Sequence, residues 1–124
     1  MKNIILTAIL VMLSFFKVNA QEVTTAEVVN TTVFESQISD RKVQLIDVRT
    51  PEEYKAGTIL KAKNIDFLAE SFTDKIKELD PKKPVYIFCQ SGKRSAAAAK
   101  KMQAVGFHVI ELEGGYKAWK AEKN

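Results

Sequence analysis

The chain holds one cysteine, Cys89, and its surroundings suit nucleophilic chemistry. It ends the apolar run Pro84-Val85-Tyr86-Ile87-Phe88, a buried-strand pattern, and leads into Gln90-Ser91-Gly92-Lys93-Arg94-Ser95 and then an alanine-rich stretch suited to a helix interior. In an open parallel sheet, ligands gather at the carboxyl ends of strands, where the next helix starts. The free N–H groups of a first helical turn and of a tight loop make a concavity that attracts negative charge, and Lys93 and Arg94 add to it. A sulfur held there ionises more readily than a free thiol, and the thiolate is the nucleophilic form. The plainer alternative is a structural thiol buried at a strand end. The polar, cationic neighbours weigh against it. One cysteine cannot form a disulfide within the chain, and Cys89 with His108, the sole histidine, is too small a donor set for a usual zinc site.

The elements that must position this loop can be traced by their breakers and periodicity. Short branched apolar runs are expected as strands at Val28-Val29, 43–48, near 62–65, 85–88 and 108–112. Helical patterns fall between them. Thr32-Val33-Phe34-Glu35 fits a capping box, and Thr50-Pro51-Glu52-Glu53 fits one better, with proline at the first helical position and Gly57 as the stop. Further helices are expected at 71–79, at 95–105 with Gly106 as terminator, and at 116–123. All five glycines and all three prolines fall at the proposed boundaries or in loops. Alternating strands and helices predict one α/β domain, a doubly wound sheet of about five mainly parallel strands with helices on both faces.

Residues 1–20 read as a separate segment. Lys2 is followed by an uncharged apolar stretch from Ile4 to Phe16 and then Val18-Asn19-Ala20, the pattern of a cleaved export signal. The apolar stretch, about thirteen residues at ~1.5 Å each, is short for a hydrocarbon core of about 30 Å. The expectation is cleavage after Ala20, a flexible arm over 21–27, a domain over 28–124, and a periplasmic or extracellular location without stable membrane insertion. Losing Lys2 and Lys17 leaves 17 basic residues against 15 acidic ones, too mild a balance to suggest nucleic acid. In an exported protein an unpaired thiol invites oxidation unless it has a use, which again favours a functional Cys89.

Three segments together resemble the rhodanese-like sulfurtransferase domains. The Cys89–Ser95 loop between strand and helix is similar to that family's active-site loop. Leu45-Ile46-Asp47-Val48-Arg49-Thr50-Pro51-Glu52-Glu53-Tyr54-Lys55-Ala56-Gly57 is similar to its first signature, and Leu112-Glu113-Gly114-Gly115-Tyr116-Lys117-Ala118-Trp119 to its last. Thr58 and Lys61 stand where the family usually has histidine and glycine, and Asp66 where proline is common, which bears on substrate preference more than on sulfur chemistry.

The resemblance implies that Cys89 thiolate attacks the outer sulfur of thiosulfate or a persulfide, forming a covalent persulfide that cyanide or a thiol then relieves of its sulfur. The N–H groups from Gln90 to Ser95 would hold the anionic outer sulfur, and Gly92 would permit the turn and leave the site uncovered. Lys93 and Arg94 would orient an anionic donor, Arg94 by two-pronged contact. Asp47 and Arg49 either support the loop through charge-assisted hydrogen bonds or form an ordinary salt bridge at a sheet edge. Tyr116 and Trp119 read as packing residues and His108 as a partly exposed structural one. No metal or organic cofactor is implied. The implied partners are a small anionic sulfur donor, a thiol or cyanide acceptor and a sulfur-accepting protein, with the chain itself a monomer.

Other classes compete. A cysteine-based phosphatase loop has five residues between cysteine and arginine, whereas four separate Cys89 from Arg94. A cysteine hydrolase would need His108 as base, with no accompanying triad pattern. A non-catalytic or sulfur-delivery rhodanese-like binding module is the stronger rival, although such modules commonly lose the loop cysteine that this sequence keeps.

Overall fold

The computed structural model describes residues 26–40 and 42–124. The expected export signal and most of the expected arm lie outside the described residues. Five parallel strands form one sheet: β1 (Glu27–Val29), β2 (Gln44–Asp47), β3 (Lys63–Asn64), β4 (Val85–Phe88) and β5 (Val109–Leu112), in the order β1-β5-β4-β2-β3. The helices are α1 (Thr31–Ile38), α2 (Pro51–Ala56), α3 (Phe72–Ile76), α4 (Lys93–Ala104) and α5 (Gly115–Lys123). The expected doubly wound α/β fold is therefore observed, with every strand pair parallel.

Alternation along the strands builds two cores. Val85, Ile87 and Cys89 face one side with Phe72 and Ile76 of α3 and Ala98, Ala99 and Met102 of α4. Tyr86 and Phe88 face the other, with Phe34 and Ile38 of α1 and Tyr116 and Trp119 of α5. β4 is buried at every position because helices cover both its faces. Among the described residues no helix is long and apolar enough to cross a membrane.

Several boundaries differ from expectation for local reasons. The α1 cap is Asn30, whose Oδ1 accepts from Val33 N at 2.9 Å, and Thr32 lies inside the helix. The expected Thr32–Glu35 capping box is thus corrected: an asparagine directly after β1 caps at least as well as a threonine. The helix expected over 71–79 is α-helical only over Phe72–Ile76. Glu78 and Leu79 donate to carbonyls three residues back, tightening its end. The alanine-rich helix begins at Lys93, two residues early. It closes with Gly106 N donating to Gln103 O and Phe107 N to Met102 O, a Schellman arrangement. At α2 the Thr50–Glu53 capping box, Pro51 and Gly57 stand as the sequence predicts.

The strand order also locates a switch point. From β2 the chain moves outward to β3, and from β4 it moves the opposite way to β5. The carboxyl ends of β2 and β4 lie side by side, with Asp47 in register with Phe88. Ligand crevices of open α/β sheets form at such a place.

Candidate active site

Cys89 directly follows β4 at this switch point, and α4 begins four residues later. Only 1% of its surface is exposed, and one side of it belongs to the apolar core. The expectation of wholly polar surroundings is corrected accordingly. The sulfur nevertheless meets polar groups: Gly92 N donates to Sγ at 3.0 Å, and the thiol donates to Ser95 Oγ at 3.5 Å, the Ser95 hydroxyl donating in turn to Gly92 O at 3.1 Å. Burial pushes the thiol up. The Ser95 hydroxyl and the backbone N–H groups of Ser95, Gly92 and Ser91 together outweigh it, leaving the thiol below its ordinary value.

The loop takes this shape because its carbonyls are held from behind. Tyr116 N donates to Cys89 O at 2.8 Å and Lys117 N to Gln90 O at 3.0 Å, so the first turn of α5 holds both carbonyls. The close approach requires Gly115. A Cβ there would sit 2.5 Å from Cys89 O and 2.7 Å from Gln90 O, and its φ is +62°. At Gly92 the requirement is conformational alone: φ is +111°, and a Cβ would meet nothing within 4 Å. The positive φ agrees with the turn expected at Gly92, and the open space beside it leaves the mouth of the loop uncovered.

Asp47, the last residue of β2, and Arg49, just beyond it, form a buried pair at the end of an interior strand and not at a sheet edge. Arg49 Nε and Nη2 donate to the Asp47 carboxylate, which also accepts from Arg49 N and, at 2.8 Å, from the Thr58 hydroxyl. The rest of the guanidinium reaches Gly57 O at 2.6 Å and Gln90 Oε1 at 3.2 Å, and it lies 4.1 Å over the Tyr116 ring. The pair is a salt bridge and at the same time ties β2, the end of α2, the cysteine loop and α5 together. Thr58, in the position where histidine is usual, serves this network. Tyr116 packs as expected, but its ring supports Arg49 and its N–H holds the loop.

Arg94 differs from expectation. Its Nη1 and Nη2 are 2.6 and 2.9 Å from Glu53 Oε1 and Oε2, a two-pronged pair joining α4 to α2. The Arg94 hydrogen bond is the largest influence lowering the Glu53 carboxyl, to about 2, so the pair persists through neutral pH. The expected free guanidinium is already engaged. Lys93, exposed at the first position of α4, has no ion pair among the described residues.

Glu53 was legible only as a cap, and Thr58 only as a departure from a family pattern. Glu111, buried in β5, carried no signal beyond a charge inside an apolar run. His108 is half-exposed, 3.4 Å from Glu27 and at the opposite end of the sheet from Cys89. A cleft of about 860 Å³ also lies at that opposite end, lined by Ile38, Val43, Leu45, Leu60, Lys61 and Leu79, away from the sulfur. Among the described residues no group of three or more His, Cys, Asp or Glu could hold a metal.

The family model of the rhodanese-like domain matches residues 30–122, and the chain belongs to that family. Among curated relatives, the uncharacterized protein YqhL of Bacillus subtilis is 41% identical over 80 residues, 64% of this chain and 62% of YqhL, so the match spans less than two thirds of that protein. The thiosulfate sulfurtransferase GlpE of Pseudomonas paraeruginosa is 31% identical over 86 residues, 68% of this chain and 76% of GlpE. The crystal structure of a rhodanese-related protein from Thermoplasma volcanium superposes with a TM-score of 0.69 at 29% identity, covering 77% of this chain and 92% of that one.

Proposed function

We propose that this protein is a sulfurtransferase that carries a sulfane sulfur on Cys89. The observation that carries the reading is the Gly92 N–H aimed at Cys89 Sγ from 3.0 Å at the start of α4. A donor placed there is poised to stabilise a thiolate and then the anionic outer sulfur of a persulfide. Cys89 thiolate attacks the outer sulfur of thiosulfate, the S–S bond to the sulfonate breaks with its electron pair, and sulfite leaves. A thiolate or cyanide then attacks the outer sulfur and returns Cys89 as thiolate. The relatedness to GlpE, named for this reaction with thiosulfate, supports the donor class. A donor of this size need only reach the mouth of the cradle, because the outer sulfur projects about 2 Å beyond Sγ.

A second reading, a module that binds partners or delivers sulfur without efficient turnover, is favoured by two observations: the near-complete burial of Cys89 and the engagement of Arg94 by Glu53. Mass spectrometry after incubation with thiosulfate or a persulfide separates any persulfide carrier from a module that only binds partners, and steady-state turnover with cyanide separates the enzyme from sulfur delivery. The expected result is one added sulfur, about 32 Da, on the wild type and none on Cys89→Ser. A wild type left unmodified by every donor replaces the enzyme with the binding module. The phosphatase alternative is not favoured, since Arg94 is directed to Glu53. Export to the periplasm or extracellular space is proposed from residues 1–20 alone, and the N-terminal sequence of the secreted protein, expected to start at Gln21, tests it.

A further inference from the structure

Two guanidinium groups stand at the cysteine loop, and both are already committed. Arg94 gives Nη1 and Nη2 to the Glu53 carboxylate at 2.6 and 2.9 Å. Glu53 is itself fixed. Its Oε1 also accepts from Thr50 N at 3.1 Å and from the Thr50 hydroxyl at 3.0 Å, so it cannot swing away from Arg94 without opening the cap of α2. Arg49 is divided among Asp47, Gly57 O and Gln90 Oε1. Among the described residues, Lys93 is the one cation of the loop left without an ion pair. The Glu53–Arg94 pair is partly exposed, so an anion approaching the loop meets the pair and not a free guanidinium. Cys89 is buried, so only the tip of a donor reaches its sulfur. Thiosulfate brings two negative charges and a sulfonate with three oxygens directly behind its outer sulfur. A thiol persulfide brings at most one charge, on the outer sulfur itself, and a slimmer carbon chain behind it. A carboxylate beside the entrance discriminates against the more highly charged of the two.

We propose that Glu53 is a positioning residue that sets donor preference: by holding Arg94 it withholds the guanidinium from a divalent sulfonate donor and favours a persulfide borne on a thiol. The inference deepens the sulfur-transfer reading and rests on it, since it names the donor class of that same site. Under it, the engaged arginine marks selectivity and not a loss of turnover. The step is the attack of Cys89 thiolate on the outer sulfur of a persulfide RS–SH. A bond forms between Sγ and that sulfur, the inner S–S bond breaks, and RS⁻ leaves with its electron pair. The outer sulfur keeps its proton, and no other reactant is consumed. No charge develops on a sulfonate, so the step makes no demand on Arg94.

The test is first-turnover loading of Cys89 in the full chain, followed by quenched-flow mass spectrometry over a range of donor concentrations. This separates the half-saturating concentration from the limiting rate. The donors are thiosulfate, methanethiosulfonate, which keeps the outer sulfur but carries a single charge, and hydroxyethyl persulfide, whose one ionising group is its outer sulfur. In the wild type the half-saturating concentration should be lowest for the persulfide and highest for thiosulfate. Glu53→Gln keeps the α2 cap and releases Arg94. It should lower the value for thiosulfate about two- to fivefold, the worth of a partly exposed ion pair, with a smaller change for the two less charged donors. A merely structural role for Glu53 would move all three alike, and that result, or no change for thiosulfate, overturns the proposal. Should Glu53→Gln fail to fold, the wild type decides: equal half-saturation by thiosulfate and methanethiosulfonate, or a preference for thiosulfate, refutes it. Loading from thiosulfate in preference to the persulfide would keep the sulfur-transfer reading and remove only this inference, whereas a wild type loaded by none of the donors removes both.

Discussion

At the residue scale, two side chains that share a loop are treated very differently by their surroundings. Cys89 is nearly sealed, yet its sulfur meets a hydroxyl and several amides, and these offset its desolvation. Arg94 is more open, and Glu53 holds it in a two-pronged pair. Its charge is thus largely neutralised before any donor arrives. Glu53→Gln keeps the capping box at Thr50, which accepts either residue, and releases the guanidinium. The KM for thiosulfate should then fall roughly two- to fivefold, the worth of a partly exposed ion pair. Arg94→Ala leaves the Glu53 carboxylate unpaired and should raise the same KM. Steady-state kinetics with thiosulfate and with an uncharged trisulfide checks this, and equal changes for both donors would show that charge is not the cause. The cationic loop was legible in the sequence. Its neutralisation was not, because Glu53 and Arg94 stand 41 residues apart and meet only when α2 and α4 are docked.

At the element scale, the start of α5 shapes the cradle although none of its side chains touches the sulfur. Tyr116 N and Lys117 N hold the carbonyls of Cys89 and Gln90. That contact needs Gly115, where any Cβ would collide with the loop backbone. Gly115→Ala is expected to cost about 2 kcal/mol or more, combining a strained positive φ with displacement of the loop. It should also move the Cys89 alkylation midpoint to higher pH, as the Gly92 N–H loses its aim. Denaturant unfolding together with the alkylation profile tests this, and lost stability with an unmoved midpoint would mean that α5 does not shape the cradle. The Gly114-Gly115 pair was visible as a helix boundary. What the second glycine avoids was not, since the obstructing carbonyls belong to residues 89 and 90.

At the scale of the whole molecule, the switch point brings the carboxyl ends of β2 and β4 together, and the Asp47–Arg49 pair joins them there. The buried pair is densely hydrogen-bonded: Asp47 accepts from Arg49 and Thr58, and Arg49 also donates to Gly57 O and Gln90 Oε1. Removing one partner from such a pair costs about 3–5 kcal/mol, against a total domain stability of about 5–15 kcal/mol. Arg49→Met should therefore lower the urea midpoint sharply, whereas Arg94→Met, at the more exposed pair, should lower stability by about 1 kcal/mol or less. Comparable losses in the two variants would contradict the central role given to Arg49. The sequence placed Asp47 and Arg49 near a strand end but left their purpose open, because strand order is a property of pairing between distant segments.

The sequence by itself determined the strand and helix rhythm, the α2 start at Thr50-Pro51, the place of Cys89 between a buried strand and a helix, and the family to which three short motifs pointed. These are local matters: periodicity, caps and breakers act over a few residues. Tertiary structure alone decided that Glu53 takes up Arg94 and that α5 holds the loop carbonyls. Each depends on groups that are far apart along the chain, 41 residues for Glu53 and Arg94, becoming neighbours once the sheet is ordered and both its faces are covered.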